Sequence, residues 1–328
     1  MGAVLLAGGA GYVGSHAAMS LRAAARDMVV LDNLQTGHRA AVRDVPLVVA
    51  DIADQAAVRD TIQRHRVTSV MHFAALLSVG ESVRSPASYY AANVTKTLAL
   101  LDAMVAEGVQ RLVFSSSAAV YGEPRETPIT EDHPTRPTNP YGETKLAIEN
   151  LLPHYERAYG LRAVRLRYFN AAGAAADGSI GEDHRPEEHL IPRALSAARG
   201  GPPLVCFGAD YETPDGTCLR DYVHVSDLAA AHVLALAALE ADAPLRVCNL
   251  GSGRGYSVRE VVAAVERVTG LQVPCRAGGR RPGDPAELLA SSARARSELG
   301  WEPEYGELDV IVETAWRWHR SHPAGYAS

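Results

Sequence analysis

A tyrosine and a lysine stand four residues apart in the stretch Asn139-Pro140-Tyr141-Gly142-Glu143-Thr144-Lys145. Asn139 can cap a helix and Pro140 suits its first turn, so the tyrosine and the lysine should share one helix face. A free tyrosine has a pKa near ~10 and is a poor base at neutral pH, but a neighbouring ammonium group lowers that pKa. Such a pair could take a proton from a sugar hydroxyl while a hydride leaves the same carbon.

Lysine is rare in this chain, which makes the lysine of this pair informative. Lysine and arginine total 32, and only Lys96 and Lys145 are lysines. A guanidinium group is always protonated, so a lysine kept among so many arginines favours a role for its ammonium group. Taken alone, a Tyr-x-x-x-Lys pair is more often a surface tyrosine and lysine at a helix start. The other motifs must therefore decide between these interpretations.

The composition is that of a globular enzyme. A chain of 328 residues is long enough for two domains, or for one large α/β domain with an extension. The net charge of −6 provides no basic surface for nucleic acid. No apolar run reaches the ~20 residues that a membrane span needs, and the N-terminus lacks the pattern of a signal peptide. Neither a nucleic acid nor a membrane is therefore predicted as a partner.

The four cysteines carry no pairing or metal-binding pattern. Their spacings include no Cys-x-x-Cys unit, and no histidine cluster stands beside them. We expect reduced packing residues in a cytoplasmic protein rather than disulfides or zinc ligands, and no metal site is predicted. These cysteines are Cys206, Cys218, Cys248 and Cys275.

Three glycines follow the first apolar segment, residues 4–7, with the spacing Gly8-x-x-Gly11-x-x-Gly14. Between a strand and a helix, which we predict at 15–26, such glycines allow a tight turn and a close backbone approach to a pyrophosphate. The N–H groups at the start of the helix then face the phosphates, and Tyr12 and Val13 are predicted to contact the cofactor there. A plain structural turn is the alternative, and the next segment argues against it.

A second apolar segment, residues 28–31, ends at Asp32, 18 residues after Gly14. A carboxylate at this distance can accept hydrogen bonds from the adenosine ribose and would repel a 2′-phosphate. The predicted cofactor is therefore NAD rather than NADP. The following strand ends at Asp51-Ile52, which could flank the adenine, and another leads into the small residues of Phe73-Ala74-Ala75.

Strands and helices continue to alternate up to about residue 169, which predicts an α/β fold with a doubly wound parallel sheet. A strand at 111–114 delivers Ser115-Ser116-Ser117 to the edge where ligands bind in such sheets, so Ser117 is a candidate third partner of Tyr141. Beyond residue 169 the alternation breaks down. We predict a Rossmann NAD-binding domain at 1–169 and a smaller C-terminal α/β substrate-binding domain at 170–328. Part of 223–250 should return to the main sheet.

The glycine spacing, the string Ser115-Ser116-Ser117-Ala118-Ala119-Val120-Tyr121-Gly122 and the Tyr-x-x-x-Lys pair resemble the extended short-chain dehydrogenase/reductases. Longer strings narrow the resemblance to the UDP-galactose (UDP-glucose) 4-epimerases. These strings are Val79-Gly80-Glu81-Ser82-Val83, Tyr168-Phe169-Asn170-Ala171-Ala172-Gly173, Gly208-Ala209-Asp210-Tyr211-Glu212-Thr213-Pro214-Asp215-Gly216-Thr217, Arg220-Asp221-Tyr222-Val223-His224-Val225 and His322-Pro323-Ala324-Gly325-Tyr326.

The resemblance implies an isomerase of galactose metabolism that inverts C4 of UDP-glucose and UDP-galactose with a tightly bound NAD. Tyr141 would take the 4-OH proton, Lys145 would lower the pKa of Tyr141 and bind the nicotinamide ribose, and Ser117 would hydrogen-bond the reacting oxygen. Further cofactor contacts implied by the resemblance are Asn33, Asn93, Ser115 and Tyr168.

The resemblance also implies the residues that bind the UDP-sugar. The diphosphate would contact Asn170, Arg220 and Arg281, the ribose Asp284, the uracil Phe207, and the backbone of Leu190 would add a contact. Three positions depart from the family. Leu77 replaces a frequent lysine, His189 stands where an asparagine contacts substrate, and Leu288 occupies the place beside the sugar 2-position.

Alternatives from different functional classes remain open. One is a 4-epimerase of another UDP-sugar, such as N-acetylglucosamine, glucuronate or arabinose. Leu288 leads us to expect some activity on N-acetyl sugars. A 4,6-dehydratase would need an Asp-Glu pair where the chain has Ala118 and Ala119. A non-catalytic NAD-sensing regulator would be expected to lack parts of the Ser–Tyr–Lys set. Segments 89–107 and 145–159 are predicted helices with apolar faces, and these faces predict a homodimer.

Overall fold

The strands and helices are described from a computed structural model that covers residues 2–280 and 284–326. The strands in chain order are β1 (Ala3–Ala7), β2 (Met28–Asp32), β3 (Leu47–Val49), β4 (Val67–His72), β5 (Arg111–Ser117), β6 (Arg162–Tyr168), β7 (Asn170–Ala172), β8 (Leu204–Phe207), β9 (Leu219–His224), β10 (Val247–Leu250), β11 (Gly255–Ser257), β12 (Cys275–Gly278) and β13 (Glu287–Leu288).

The α-helices are α1 (Tyr12–Ala23), α2 (Gln55–His65), α3 (Val79–Arg84), α4 (Pro86–Tyr89), α5 (Lys96–Ala106), α6 (Pro140–Tyr159), α7 (Leu190–Ala198), α8 (Val225–Glu240), α9 (Val258–Thr269), α10 (Ala293–Leu299) and α11 (Leu308–Ser321). Two 3₁₀ turns at Arg39–Val42 and Ala118–Tyr121 and one π-helical segment at Tyr90–Thr95 complete the helical elements. In the described ranges, no helix combines the length and apolar character that a membrane crossing requires.

Seven parallel strands form the main sheet in the order β10-β6-β5-β4-β1-β2-β3. The chain moves outward in one direction from β1 to β3 and in the other from β4 onward, so the strand order reverses between β1 and β4. Ligands bind outside the carboxyl ends of parallel strands at such a reversal. The predicted doubly wound parallel sheet is confirmed.

The alternating side chains of β1 enter two separate cores, one on each face of the sheet. Val4 and Leu6 pack in the core that contains α1 and α8. Leu5 and Ala7 pack in the core that contains α2, α5 and α6. Because helices cover both faces, every residue of β1 is buried, as expected for a central parallel strand.

The C-terminal half builds smaller sheets beside the carboxyl edge of the main one. β9 pairs with β7 and β13 in parallel and with β11 in antiparallel fashion, and β8 pairs with β12. A third apolar core lies among α7, α9 and α11. β10, at Val247–Leu250, lies in the main sheet beside β6. The predicted smaller C-terminal part is thus a set of mixed sheets with its own core.

Two helices differ from the sequence-based prediction. The first helix, expected from residue 15, begins at Tyr12, so Tyr12, Val13 and Gly14 form its first turn. The long helix expected over 89–107 is divided into α4, the π-helical segment and α5. Asn93 lies in the π-helical segment, where its side chain hydrogen-bonds to the backbone N–H and carbonyl of Leu76. Tertiary hydrogen bonds of this kind have no signal in the periodicity of apolar residues.

Four buried histidines should make the folded state sensitive to acid. Burial lowers the pKa of His16 and His232 to about 4 and that of His72 and His224 to about 3. In the unfolded chain these groups bind protons near pH 6.5, so the unfolded state gains more protons as the pH falls from about 6.5 towards 4. Stability is therefore retained above pH 6.5 and lost below it, by up to about 1.4 kcal/mol per pH unit for each histidine.

Thermal melting of the ligand-free protein at several pH values between 5 and 7.5 tests this prediction. The melting temperature should fall steeply below pH 6.5, and a His232→Asn variant should show a shallower dependence. His154→Asn is the matched control, because His154 is exposed on α6. A melting temperature that is flat across this range would contradict the prediction.

Candidate active site

The N-terminus of α6 fixes the tyrosine and the lysine. The Asn139 side chain accepts a hydrogen bond of 2.9 Å from the N–H of Gly142, and Pro140 is the first helical residue, as predicted. A Cβ atom on Gly142 would lie 2.4 Å from the carbonyl oxygen of Ala119, so only glycine allows the helix to approach this turn so closely. This contact brings the start of α6 beside the end of β5.

Ser117, Tyr141 and Lys145 all line one cavity of about 620 Å³ at the carboxyl end of the sheet. Ser117 ends β5, and its hydroxyl oxygen accepts a hydrogen bond from the N–H of Ala119. Lys145 is buried, and its Nζ lies 6.0 Å from the centre of the Tyr141 ring. A hydroxyl, a phenol and an amine from two elements distant in sequence therefore meet at one place.

The lysine does not bond to the tyrosine directly. Its Nζ donates a 2.8 Å hydrogen bond to the carbonyl oxygen of Ser115. Burial raises the pKa of Tyr141, although a hydrogen bond with Ser117 lowers it. Burial also lowers the pKa of Lys145 to about 8. Burial of the phenol therefore outweighs the hydrogen bond with Ser117, and the lowering of the Tyr141 pKa by Lys145 stays a prediction.

A buried ion pair holds α6 against the sheet one turn beyond Lys145. The guanidinium of Arg167, on β6, donates a 2.5 Å hydrogen bond to Glu149 Oε2, and the Ser116 hydroxyl donates one of 2.5 Å to Glu149 Oε1. Tyr121 accepts a further bond of 2.9 Å from Arg167. Breaking a buried pair of this kind usually destabilises a protein strongly, so the network anchors the catalytic helix.

The glycine loop at the other end of the cavity fits a dinucleotide pyrophosphate. A Cβ atom on Gly14 would lie 2.5 Å from the carbonyl oxygen of Gly8, so the loop has no room for a side chain there. The N–H groups of Tyr12, Val13 and Gly14 start α1 without an acceptor among the described residues. Free N–H groups at a helix N-terminus attract phosphate oxygens.

Carboxylates lie where the predicted ribose and adenine would bind. Asp32 lines the cavity while its carboxylate accepts hydrogen bonds from the N–H groups of Ala10 at 3.0 Å and Leu34 at 2.8 Å. Asp51 accepts bonds from Asn33 and from Lys96, whose Nζ lies 2.6 Å away. Lys96 was not predicted, although it is the only other lysine of the chain.

Two residues predicted to contact the cofactor do not line the cavity. The Asn93 side chain hydrogen-bonds to the backbone of Leu76 and donates a 3.0 Å hydrogen bond to the hydroxyl of Thr144. The Ser115 hydroxyl lies 2.9 Å from Nε2 of His232, beneath the cavity wall. Both side chains are buried. Both side chains bond to residues of the fold, and a cofactor contact by either of them stays a prediction.

The predicted UDP-sugar residues come from the C-terminal half. Arg220 forms an ion pair with Asp284 and donates a 2.8 Å hydrogen bond to the carbonyl oxygen of Pro285, so the cation and the anion lie side by side. The Asn170 side chain donates a hydrogen bond of 2.8 Å to the carbonyl oxygen of Asp221. Arg281 lies outside the described residues.

The remaining predicted residues also line this cavity. From the cofactor group these are Gly8, Gly11, Tyr12, Val13, Gly14, Asn33, Ile52, Phe73, Ala74, Ala75 and Tyr168, and from the substrate group Asn170, His189, Leu190, Phe207, Arg220, Asp284 and Leu288. Sequence reasoning missed other residues of the wall, including Lys96, Glu182, His184 and Glu188. The acidic and histidine-rich string at 182–189 was a visible signal that was not used.

The cavity, the glycine loop and the Ser–Tyr–Lys set agree with the comparison to known proteins. The model of the NAD dependent epimerase/dehydratase family matches residues 4–251. The chain belongs to this family. The match includes both the nucleotide-binding loop and the two elements that supply Ser117, Tyr141 and Lys145.

Individual members of the family are similar over the whole chain. A UDP-glucose 4-epimerase from Halalkalibacterium halodurans is 51% identical over 327 residues, which are 99% of this chain and 98% of that protein. The crystal structure of UDP-glucose 4-epimerase from Brucella ovis in complex with NAD has a TM-score of 0.94 at 50% identity, covering 96% of this chain and 98% of that one. The resemblance to 4-epimerases and the assignment of NAD as cofactor are confirmed.

One further solved structure bears on the sugar. The UDP-Glc/GlcNAc 4-epimerase from Campylobacter jejuni has a TM-score of 0.86 at 36% identity, covering 98% of this chain and 100% of that one. The same architecture therefore serves an enzyme that is named for an N-acetyl sugar as well as for glucose.

Proposed function

We propose that the chain is a UDP-glucose 4-epimerase, an isomerase that interconverts UDP-glucose and UDP-galactose with a tightly bound NAD. When bound, NAD supplies the hydride acceptor and donor. One observation carries the proposal. The Ser117, Tyr141 and Lys145 side chains line the same cavity as the glycine loop and Asp32 on one side and Arg220 and Asp284 on the other.

The chain's own residues perform the proton transfer and hold the sugar. Tyr141 takes the proton of the sugar 4-OH, and Ser117 hydrogen-bonds to the same oxygen. The buried ammonium of Lys145 stabilises negative charge on the phenol oxygen of Tyr141. Its Nζ lies 6.0 Å from the centre of the Tyr141 ring. With NAD bound as acceptor and then donor of the C4 hydride, the 4-keto sugar would have to turn over in the cavity between the two transfers. Tyr141 would return the proton to the 4-oxygen, and C4 would be inverted.

The wall beside Ser117 favours epimerisation over dehydration. Ala118 and Ala119 follow Ser117 and line the cavity, so these positions offer no acid–base pair for the loss of water. The chain also keeps all three members of the Ser–Tyr–Lys set, which argues against a regulator that has lost catalysis.

Binding of the UDP part is assigned to the C-terminal half. Arg220 and Asn170 serve the diphosphate, Asp284 the ribose, Phe207 the uracil and Leu190 adds a backbone contact. We assign 1–169 to the NAD-binding domain and 170–328 to the substrate domain, with part of 223–250 in the main sheet. Cationic and amide donors are the groups that bind phosphate oxygens.

Conversion of UDP-galactose to UDP-glucose by purified protein, with no NAD added, tests the proposed function. Product should accumulate, and NAD should be released when the protein is denatured. If no product forms even when NAD is supplied, the proposed activity is wrong, although the nucleotide-binding fold would stand.

Activity on N-acetyl sugars is a second candidate function. It is favoured by Leu288, whose side chain is smaller than the tyrosine that would block an N-acetyl group. Leu288 lines the cavity and packs beside Ala118 and Phe169. A Leu288→Tyr variant should lose conversion of UDP-N-acetylglucosamine by at least about tenfold, because a lost fit for a few buried atoms costs 1–3 kcal/mol. Conversion of UDP-glucose should remain.

The control for this variant is Leu271→Tyr, since Leu271 is exposed and far from the cavity lining. Coupled assays with both UDP-sugars at high enzyme concentration give the ratio of rates. Absence of any UDP-N-acetylgalactosamine from the wild-type protein would contradict the prediction for Leu288.

We further propose that the enzyme is a cytoplasmic homodimer that pairs through α5 and α6. Half-buried apolar residues lie on both helices, namely Leu98, Ala99, Leu151 and Tyr155, and the Tyr155 hydroxyl donates a 2.7 Å hydrogen bond to Asp102. Sedimentation at micromolar concentration should give twice the chain mass of 35.0 kDa. A single species at 35.0 kDa would contradict the dimer.

A further inference from the structure

Four metal-ligating side chains converge on the cavity wall, away from the Ser–Tyr–Lys set. They are Glu182, His184, Glu187 and His189, from the segment that connects β7 to α7. This segment leads into Leu190, the first residue of α7, and three members of the group, Glu182, His184 and His189, line the cavity. The proposed epimerase reaction uses none of the first three residues of the group.

The donor atoms are close enough to share one ion. One ligand atom from each of the four residues lies within 4.8 Å of all the others. His184 Nδ1 lies 3.0 Å from Glu182 Oε1 and 3.9 Å from Glu187 Oε2, and His189 Nδ1 lies 3.7 Å from Glu187 Oε1. Ligands of a tetrahedral zinc ion at about 2.1 Å are separated by about 3.4 Å. These three separations lie within about 0.5 Å of this value. His189 Nδ1 and Glu182 Oε1 form a closer contact, which would have to open to admit the ion.

Hydrogen bonds and a ring contact also fix the segment that carries the donors. The Trp318 indole N–H donates a 3.1 Å hydrogen bond to the carbonyl oxygen of Glu182, and the N–H of His189 donates one of 2.8 Å to Glu187 Oε1. The Tyr12 ring meets the His184 ring edge to face, with centres 6.1 Å apart. Supporting contacts of this kind orient the ligands of metal sites.

The cluster joins two carboxylates to two imidazoles. Two carboxylates face each other, and Glu182 is buried. In the described ranges, no lysine or arginine forms an ion pair with Glu182 or Glu187; their only charged partners are the two histidines. Buried charges are usually paired or coordinate metals, and one divalent ion bound here would pair with both carboxylates.

We propose that Glu182, His184, Glu187 and His189 bind one divalent transition-metal ion, with Zn²⁺ as the best match. Two imidazole nitrogens and two carboxylate oxygens suit zinc, whereas magnesium and calcium prefer oxygen ligands alone. Four protein ligands make a closed site, which is typical of a structural or regulatory ion rather than a catalytic one. The ion would fix the segment that leads into α7.

Zinc binding is measured on the untagged full chain after treatment with a chelator, by equilibrium dialysis against micromolar Zn²⁺ with metal analysis. One zinc ion per chain is expected. His184→Asn and Glu187→Gln should each weaken binding by more than about tenfold. His154→Asn is the matched control, since this exposed histidine lies on α6, and it should leave binding unchanged.

Cobalt is a second probe with a spectroscopic readout. Co²⁺ in the wild-type protein should give the strong visible absorption of a tetrahedral site, and the double variant His184→Asn/Glu187→Gln should not. Equal zinc binding by the wild type and the double variant would overturn the proposal, as would no binding by the wild type. Melting temperatures check that the variants fold. The assay uses no UDP-sugar, so its result is independent of the proposed epimerase activity.

Discussion

Replacing Tyr141 with phenylalanine should lower the rate of UDP-galactose conversion by about 10²- to 10⁴-fold, the usual contribution of a positioned acid–base group. The phenol lines the cavity together with Ser117 and Lys145, and in the proposed mechanism it is the group that takes the proton. Because only the hydroxyl is removed, the shape of the cavity and the content of bound NAD should be unchanged.

The rate is measured with enzyme whose NAD content has been determined after denaturation. Tyr159→Phe is the matched control, because Tyr159 is exposed at the end of the same helix. Its rate should equal that of the wild type. A Tyr141→Phe enzyme with a near-normal rate would remove the tyrosine from the proposed mechanism.

The change Lys145→Met is expected to have the second largest effect. It removes the buried ammonium whose Nζ lies 6.0 Å from the Tyr141 ring centre, so negative charge on the phenol loses its stabilising partner. We expect the turnover number to fall by about 10²-fold or more. Retention of NAD should also fall, since the lysine is assigned to the nicotinamide ribose.

Folding should survive this change. Burial lowers the pKa of Lys145 to about 8, which means that the folded state disfavours the charged form of this side chain. Replacing it with an apolar side chain of similar length should therefore leave the melting temperature unchanged or raise it. A loss of turnover in a protein that melts normally is then a catalytic effect.

Lys96→Met distinguishes the two lysines. Lys96 pairs with Asp51 at the predicted adenine end of the cavity, so its loss should weaken NAD retention with little effect on the turnover of NAD-loaded enzyme. If Lys145→Met and Lys96→Met gave the same pattern, the specific role of Lys145 in the proton transfer would be wrong.

Short-range features of the site could be predicted because they depend on neighbouring residues. The cap by Asn139, the first-turn position of Pro140 and the shared face of Tyr141 and Lys145 follow from helix geometry. The glycine loop between β1 and α1 follows from the need for close backbone approach. The parallel sheet follows from alternating strand and helix signals.

Long-range pairings could not be predicted, since their partners are distant in sequence. Asp51 pairs with Lys96, 45 residues away, and Arg220 with Asp284, 64 residues away. No local sequence pattern predicts which of two distant side chains will be in contact in the folded protein. For the same reason the inward orientation of Asn93 and Ser115 was missed.

The amino-acid sequence by itself determined the fold class, the cofactor loop and the identity of the Ser–Tyr–Lys set, because these depend on local geometry and on residue type. Only the tertiary structure decided the balance of charges. Burial raises the pKa of Tyr141. The packed chain also places Lys145 Nζ against the carbonyl oxygen of Ser115 and brings Glu182, His184, Glu187 and His189 together. Burial and the approach of distant charges are set by packing of the whole chain, and they control the pKa values on which the chemistry depends.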